Sequence, residues 1–463
     1  MNGRSRRQGS PVEIMKSADK RMRPIGFQWV LMVLTITLAL GSAACTKKNS
    51  HSINLMPSPD IYLDEDIDPF SGIDTDVEAP YFGMLFATDR NPDSEPGEPY
   101  YTNSRGFLLR LGKAVVAMGE GQYTWEEARQ ISLLKNRGGD YPLKVTAVDE
   151  IGILDRSIST FTPPDKIPPN PEAPGRQFAE LINAKLAISK KKDIYIYVHG
   201  YKVVFSNPIL VAIELWHYIA YDGVFIAFAW PSTPKTTAYM ADLETAVLSA
   251  YNLRKLLEYI AENTDAERVH ILGYSAGTRV VLNALSQLMF MHKNEGRSKL
   301  SQQLRIGRVI LVGSDFDRQL FGALLDEGIL DTMETMSIYV SRHDKALGLS
   351  RWIFNRDRLG QVDQASFDPI VVQYLHRTPQ LDLIDVSDVE GATKGNGHAY
   401  FRNSPWASSD ILMALMYDLE PGERGLVNTP ERPIWTFPDD YIKRLKAALK
   451  SANPDLFIEK PLN

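Results

Sequence analysis

The 463-residue chain is 44% hydrophobic and 23% charged, a balance that excludes disorder throughout and leaves room for a large core. Its net charge of -6 is carried by scattered residues, which argues against the basic stripe that a nucleic-acid backbone requires. The single cysteine, Cys45, excludes an intramolecular disulfide framework and a cysteine-rich metal site.

Lys16, Lys20, Arg21 and Arg23 precede a nearly uncharged apolar run, 25–40, which ends in Gly41-Ser42-Ala43-Ala44 and then Cys45. That order is an export signal. Residues 1–44 are therefore expected to be a signal peptide. A cysteine straight after small residues resembles a bacterial lipobox, so Cys45 is the expected lipidation site of an exported lipoprotein, anchored in the cell-envelope membrane by its N-terminal lipid. Ser42 stands where a lipobox more often has leucine, which leaves simple cleavage or an uncleaved anchor as alternatives; the run is about long enough to span a bilayer. Residues 45–80 carry Asp60, Asp64, Glu65, Asp66 and Asp68 among polar residues and prolines, and are expected to form a flexible tether.

Strand-like pieces at 81–87, 106–111 and 113–118, with a turn at 91–98, suggest a β-rich extension over 81–175 that ends in the proline-dense stretch 162–175. Beyond it, short apolar runs at 194–198, 224–230, 269–272, 305–312, 337–340 and 381–384 alternate with helical periodicities. Met240, Leu243, Val247, Ala250, Leu253, Leu257 and Ile260 mark one face of a long helix. Strands alternating with helices predict an α/β core over 176–420, with a mainly parallel sheet flanked by helices and ligand sites at the strand carboxyl ends. Residues 421–463 are expected to be a C-terminal extension.

The run 269–272 leads into Gly273-Tyr274-Ser275-Ala276-Gly277 and then a helical stripe of Val281, Leu285 and Leu288. Strand, glycine-flanked turn and helix are the context of a nucleophile elbow in an alpha/beta-hydrolase fold, with Ser275 as nucleophile. A serine hydroxyl needs an imidazole to accept its proton, and the imidazole needs an acid to hold its tautomer. In this fold acid and histidine follow the serine. His398, in the Gly395-Asn396-Gly397-His398 loop, has the expected placement, with His376 the weaker alternative. Asp344 follows the run 337–340 and is the preferred acid, while Asp315 and Asp317 follow the preceding run and stay open. The run 194–198 ends in His199-Gly200-Tyr201, so the Tyr201 and Ala276 N–H groups are expected to form the oxyanion hole, and His199, upstream of the serine, to have a structural role.

Six motifs in order resemble the bacterial alpha/beta-hydrolase family catalogued as domain of unknown function 900, over roughly 82–410. They are Phe86-Ala87-Thr88-Asp89-Arg90, Val198-His199-Gly200-Tyr201, Phe228-Ala229-Trp230-Pro231-Ser232, the elbow, Tyr339-Val340-Ser341 with Asp344-Lys345-Ala346-Leu347, and Gly397-His398-Ala399-Tyr400-Phe401. The resemblance implies the alpha/beta-hydrolase fold and supports Ser275, Asp344 and His398 by position. The family often has His-Ser-Met-Gly where this chain has Tyr274-Ser275-Ala276-Gly277, and asparagine where it has Lys202.

These features predict a serine hydrolase that cleaves an ester or related acyl bond of a small-molecule or lipid-like substrate, with no cofactor and no metal. The reading from another class is a non-catalytic envelope scaffold on the same fold. Phe205, Trp216, Tyr218, Trp230 and Tyr239 are candidates for an acyl pocket, with core packing expected for most of them.

Overall fold

The computed structural model describes residues 51–65, 67–70, 82–95, 97, 100–119, 123, 125–134, 136–293, 297–361, 369–452 and 457. The expected signal peptide 1–44 and Cys45 lie outside the described residues. Among the described residues no helix is long and apolar enough to cross a membrane.

The strands are β1 (Ser52–Asn54), β2 (Phe82–Pro92), β3 (Tyr101–Met118), β4 (Pro142–Ile153), β5 (Asp193–Val198) and β6 (Val224–Phe228). They continue with β7 (Arg268–Tyr274), β8 (Ile306–Val312), β9 (Thr335–Val340), β10 (Leu381–Asp385), β11 (Val427–Thr429) and β12 (Arg432–Thr436). All join one 12-stranded sheet in the order β1-β4-β3-β2-β6-β5-β7-β8-β9-β10-β12-β11. From β2 to β12 every neighbouring pair is parallel, and antiparallel strands close both ends.

The central strands read as unbroken apolar runs because helices cover both faces of the sheet. Every residue of β5, β6 and β8 is buried. Side chains alternate between two cores, as the two-residue period of a strand requires. Ile194, Ile196 and Val198 join Phe178, Leu253, Leu257, Val281 and Leu285 on one side. Tyr195 and Tyr197 join Leu210, Ile213, Leu412 and Leu445 on the other. The helix face expected between β6 and β7 is half right. The helix runs Tyr239–Asn263, but Met240 (57% exposed) and Val247 (51%) face solvent, and Ala246, Ala250, Leu253, Leu257 and Ile260 carry the buried stripe.

The expected tether is corrected, and the two expected extensions, the first of them β-rich as expected, are continuous with the sheet. Within the expected tether, β1 pairs with β4, and Met56, Ile61, Tyr62, Ile67 and Phe70 are buried in the second core. The acidic residues between them masked a spaced apolar set whose burial repays the ordering of the backbone. Nor is 81–175 separate, since β2 hydrogen-bonds to β6 and extends the parallel sheet. Likewise β12 pairs with β10, and Tyr441, Leu445 and Leu449 of the last helix, Tyr441–Ala452, enter the core, so 421–463 is no appendage over its described part.

Two buried carboxylates lock these ends down. Asp410 accepts from Arg424 Nε at 2.7 Å, Tyr339 Oη at 2.6 Å and Tyr441 Oη at 3.0 Å. Glu214 accepts from Arg402 Nε at 2.6 Å and from the Met56 N–H, while Arg402 also donates to the Asn54 carbonyl at 3.0 Å. Arg424 and Asp410 have no solvent exposure. Replacing Arg424 with Met therefore strands a buried charge and is expected to cost about 3–5 kcal/mol of stability. Urea unfolding of Arg424→Met checks this, and a loss below about 1 kcal/mol contradicts it.

Candidate active site

The parallel register sets the strand ends in one row. Val198 is level with Phe228 and Gly273, Tyr274 with Val312, and Val312 with Tyr339. The segments that leave β5, β7, β8 and β9 therefore start at one edge, where ligand sites of such sheets lie.

Ser275 leaves β7 with φ +54°, a left-handed conformation that costs a non-glycine residue about 1 kcal/mol or more and is kept only where the surroundings hold it. They do. Its N–H donates to the Val312 carbonyl at 2.9 Å, and its carbonyl accepts from Thr278 N at 3.0 Å and Thr278 Oγ1 at 2.6 Å. Gly200 packs against it so closely that a Cβ there would sit 2.7 Å from Ser275 Cβ. The helix Gly277–Met291 starts two residues on, so the hydroxyl stands at a helix N-terminus.

His398 Nε2 lies 2.7 Å from Ser275 Oγ, and His398 Nδ1 lies 2.6 Å from Asp344 Oδ2. An ionised carboxylate only accepts, which assigns the proton to Nδ1 and leaves Nε2 to accept from the serine hydroxyl. Asp344 is buried and caps the helix Lys345–Phe354, its Oδ1 accepting from Leu347 N at 3.0 Å. The imidazole rests on the Tyr274 ring, centroids 5.0 Å apart. Two residues on, Tyr400 Oη donates to the Tyr339 carbonyl at 2.8 Å and accepts from Gly313 N at 2.7 Å. Burial pushes the Tyr400 phenol pKa well above its ordinary value, so it keeps that proton.

The open alternatives fall elsewhere. Asp315 binds Ser350 Oγ at 2.6 Å, Arg279 Nε at 3.2 Å and the Tyr239 hydroxyl, and Asp317 caps its own helix through Leu320 N at 2.9 Å. His376 is exposed and faces the Pro430 carbonyl at 2.7 Å. His199 is buried against Trp230, its ring nitrogens 2.7 Å and 2.9 Å from the Gly200 and Trp230 carbonyls. Burial, with Arg90 nearby, pulls the His199 pKa down to about 3, so the ring stays neutral around pH 7. Phe205, Trp216, Tyr218 and Trp230 are core residues, whereas Tyr239 is half-buried and meets the Tyr201 ring at 5.0 Å. Among the described residues no group of three His, Cys, Asp or Glu side chains can hold a metal ion.

Two supports of this site went unread in the sequence. Tyr400 lies inside the quoted Gly397–Phe401 motif, but nothing local reveals that its hydroxyl reaches β8 and β9. Gly313, directly after β8, was signalled only by its place at a strand end.

A mainly parallel sheet flanked by helices, with a serine on a strained strand-to-helix turn, is the fold of an alpha/beta hydrolase. The family model described as "Alpha/beta hydrolase of unknown function (DUF900)" matches residues 176–414, and the chain belongs to that family. No curated protein and no solved structure matches the chain.

Gly313 has φ +53°, and a Cβ there would stand 3.1 Å from His398 Cε1 and 3.4 Å from Asp344 Oδ2. Gly313→Ala is expected to cost about 1–2 kcal/mol and to displace the imidazole. Urea unfolding reads the first effect, and loss of the downfield Nδ1–H proton resonance reads the second. A variant with unchanged stability and an unchanged resonance contradicts this packing.

Proposed function

We propose that the protein is a serine hydrolase that cleaves an ester or related acyl bond through a covalent acyl-enzyme. The observation that carries this reading is the unbroken line Ser275 Oγ, His398, Asp344, with contacts of 2.7 Å and 2.6 Å. Ser275 attacks the acyl carbon as His398 Nε2 takes its proton, and Asp344 stabilises the imidazolium and holds its tautomer. The negative charge that develops on the carbonyl oxygen is met by the N–H groups of Ala276, beside the nucleophile, and Tyr201, in the segment that Gly200 packs against Ser275. Collapse of the tetrahedral intermediate expels the leaving group, which receives the proton from His398. Water, activated by the same imidazole, then releases the acyl group. Each proton moves through His398 Nε2, from Ser275 to the leaving group and then from water back to Ser275, so this chemistry calls on no metal or organic cofactor.

Lipidation at Cys45 would place this hydrolase on a bacterial envelope membrane, within reach of lipid-like acyl substrates. That part of the proposal stands on the sequence alone, on the sole cysteine directly after an apolar run and small residues. Intact mass of membrane-purified protein tests it: an N-terminus at Cys45 with added acyl chains supports it, and an N-terminus upstream of Cys45 without lipid overturns it.

Ser275→Ala is expected to lower turnover of a chromogenic ester by about three or more powers of ten, and Asp344→Asn by about four, both with the fold retained. Asp317→Asn serves as control, since asparagine caps a helix as well as aspartate does, and should keep parental turnover. Undiminished turnover by folded Ser275→Ala protein would end this reading.

A further inference from the structure

The motif Phe86-Ala87-Thr88-Asp89-Arg90 has no part in the chemistry above, yet Arg90 is wholly buried. A guanidinium out of water persists only where its N–H groups find acceptors. Arg90 finds them on three separate segments. Nε donates to the Ala229 carbonyl at 3.3 Å, just past β6. Nη1 donates to Asn103 Oδ1 at 2.7 Å and the Thr102 carbonyl at 3.3 Å, both in β3. Nη2 donates to the Val203 carbonyl at 3.1 Å, in the segment that follows β5.

Val203 is held a second time. The hydroxyl of Ser232, also wholly buried, accepts from Val203 N and donates to Val203 O, each at 3.2 Å. The residue before it, Lys202, has φ +68°, a conformation that a lysine adopts at a cost and that relaxes unless its neighbours are fixed. Upstream, Gly200 is wedged against Ser275. The short segment between Gly200 and Val203 is thus pinned at both ends around one strained residue, and it contains Tyr201.

Resting on the acyl-hydrolase reading, we propose that Arg90 and Ser232 are positioning residues that hold the Gly200-to-Val203 segment under strain, so that the Tyr201 N–H points at the oxyanion. Neither touches substrate. Both act through Val203, whose carbonyl takes a hydrogen bond from each. A preorganised donor stabilises the charge that appears in the transition state more than the neutral substrate, so slackening the segment lowers kcat and leaves KM nearly alone. Lysine cannot replace Arg90, because one ammonium has three donors at a single point and the acceptors are spread over three segments.

The test uses the full-length protein with p-nitrophenyl butyrate, kcat being expressed per site titrated with a fluorophosphonate. Removing one oxyanion donor outright costs about 100- to 1,000-fold, so misaiming it in Ser232→Ala and Arg90→Lys is expected to cost about 10- to 100-fold in kcat. KM should stay within about twofold of the parent. Affinity for a trifluoromethyl ketone, whose adduct with Ser275 carries the oxyanion, should fall by the same factor as kcat. Parental kcat per titrated site and parental ketone affinity, together with a lowered melting temperature, would overturn the proposal and leave these residues a purely structural role. If Arg90→Lys does not fold, Ser232→Ala, which deletes one oxygen, decides alone. Turnover that survives Ser275→Ala overturns the hydrolase reading and this inference with it, whereas Ser275-dependent turnover with unaltered kcat in both variants overturns this inference alone.

Discussion

Everything at this site depends on one imidazole holding two partners at once. His398 bridges Ser275 and Asp344 across sequence separations of 123 and 54 residues, with contacts of 2.7 Å and 2.6 Å. Chain entropy alone would scatter three such segments. The parallel sheet prevents this by ending β7, β8 and β9 in register, so that the Ser275 turn, Gly313 and the Asp344 cap emerge side by side. His398 arrives differently, on the long connection after β10, and needs its own restraints.

Those restraints reach far into the molecule. Tyr400 ties the residues after His398 to the ends of β8 and β9, through Gly313 and Tyr339. Arg402 ties the same segment to Glu214, and Glu214 in turn holds Met56. The stretch that reads as an acidic linker thus supports the segment that follows His398. This is the arrangement that preorganisation asks for: Ser275, Asp344 and His398 are fixed by packing and hydrogen bonds outside the three residues themselves.

Much of the site was legible in the sequence because its parts obey local rules. A glycine-flanked serine between an apolar run and a helical stripe fixes the elbow, and the order of serine, acid and histidine narrows the acid to Asp344, Asp315 or Asp317 and the histidine to His398 or His376. What stayed hidden depends on partners distant in sequence. Asp315 and Asp344 both follow strands, and only the structure reveals that one faces Arg279 and Ser350 while the other faces His398. Met240 and Val247 keep helical spacing with the buried stripe but lie on its exposed flank, because Asp242, Thr245 and Ala246 take the buried face of the same turns. Residues 51–70 were misread because composition counts acids, whereas burial depends on where Ile61, Tyr62 and Phe70 land. Arg90 was legible as part of a motif and not as a clamp, since three of its four acceptors are backbone carbonyls, which leave no mark in a sequence.

The central claim is that Ser275 is a nucleophile made reactive by His398. The most direct measurement is covalent labelling of the native protein with a fluorophosphonate, located by peptide mass mapping and timed in the parent and in His398→Ala. The account predicts a single adduct on the peptide that contains Ser275, formed quickly in the parent and slowed by about three powers of ten or more without the imidazole. An adduct on another residue, or labelling of Ser275 at the same rate in His398→Ala, would contradict it.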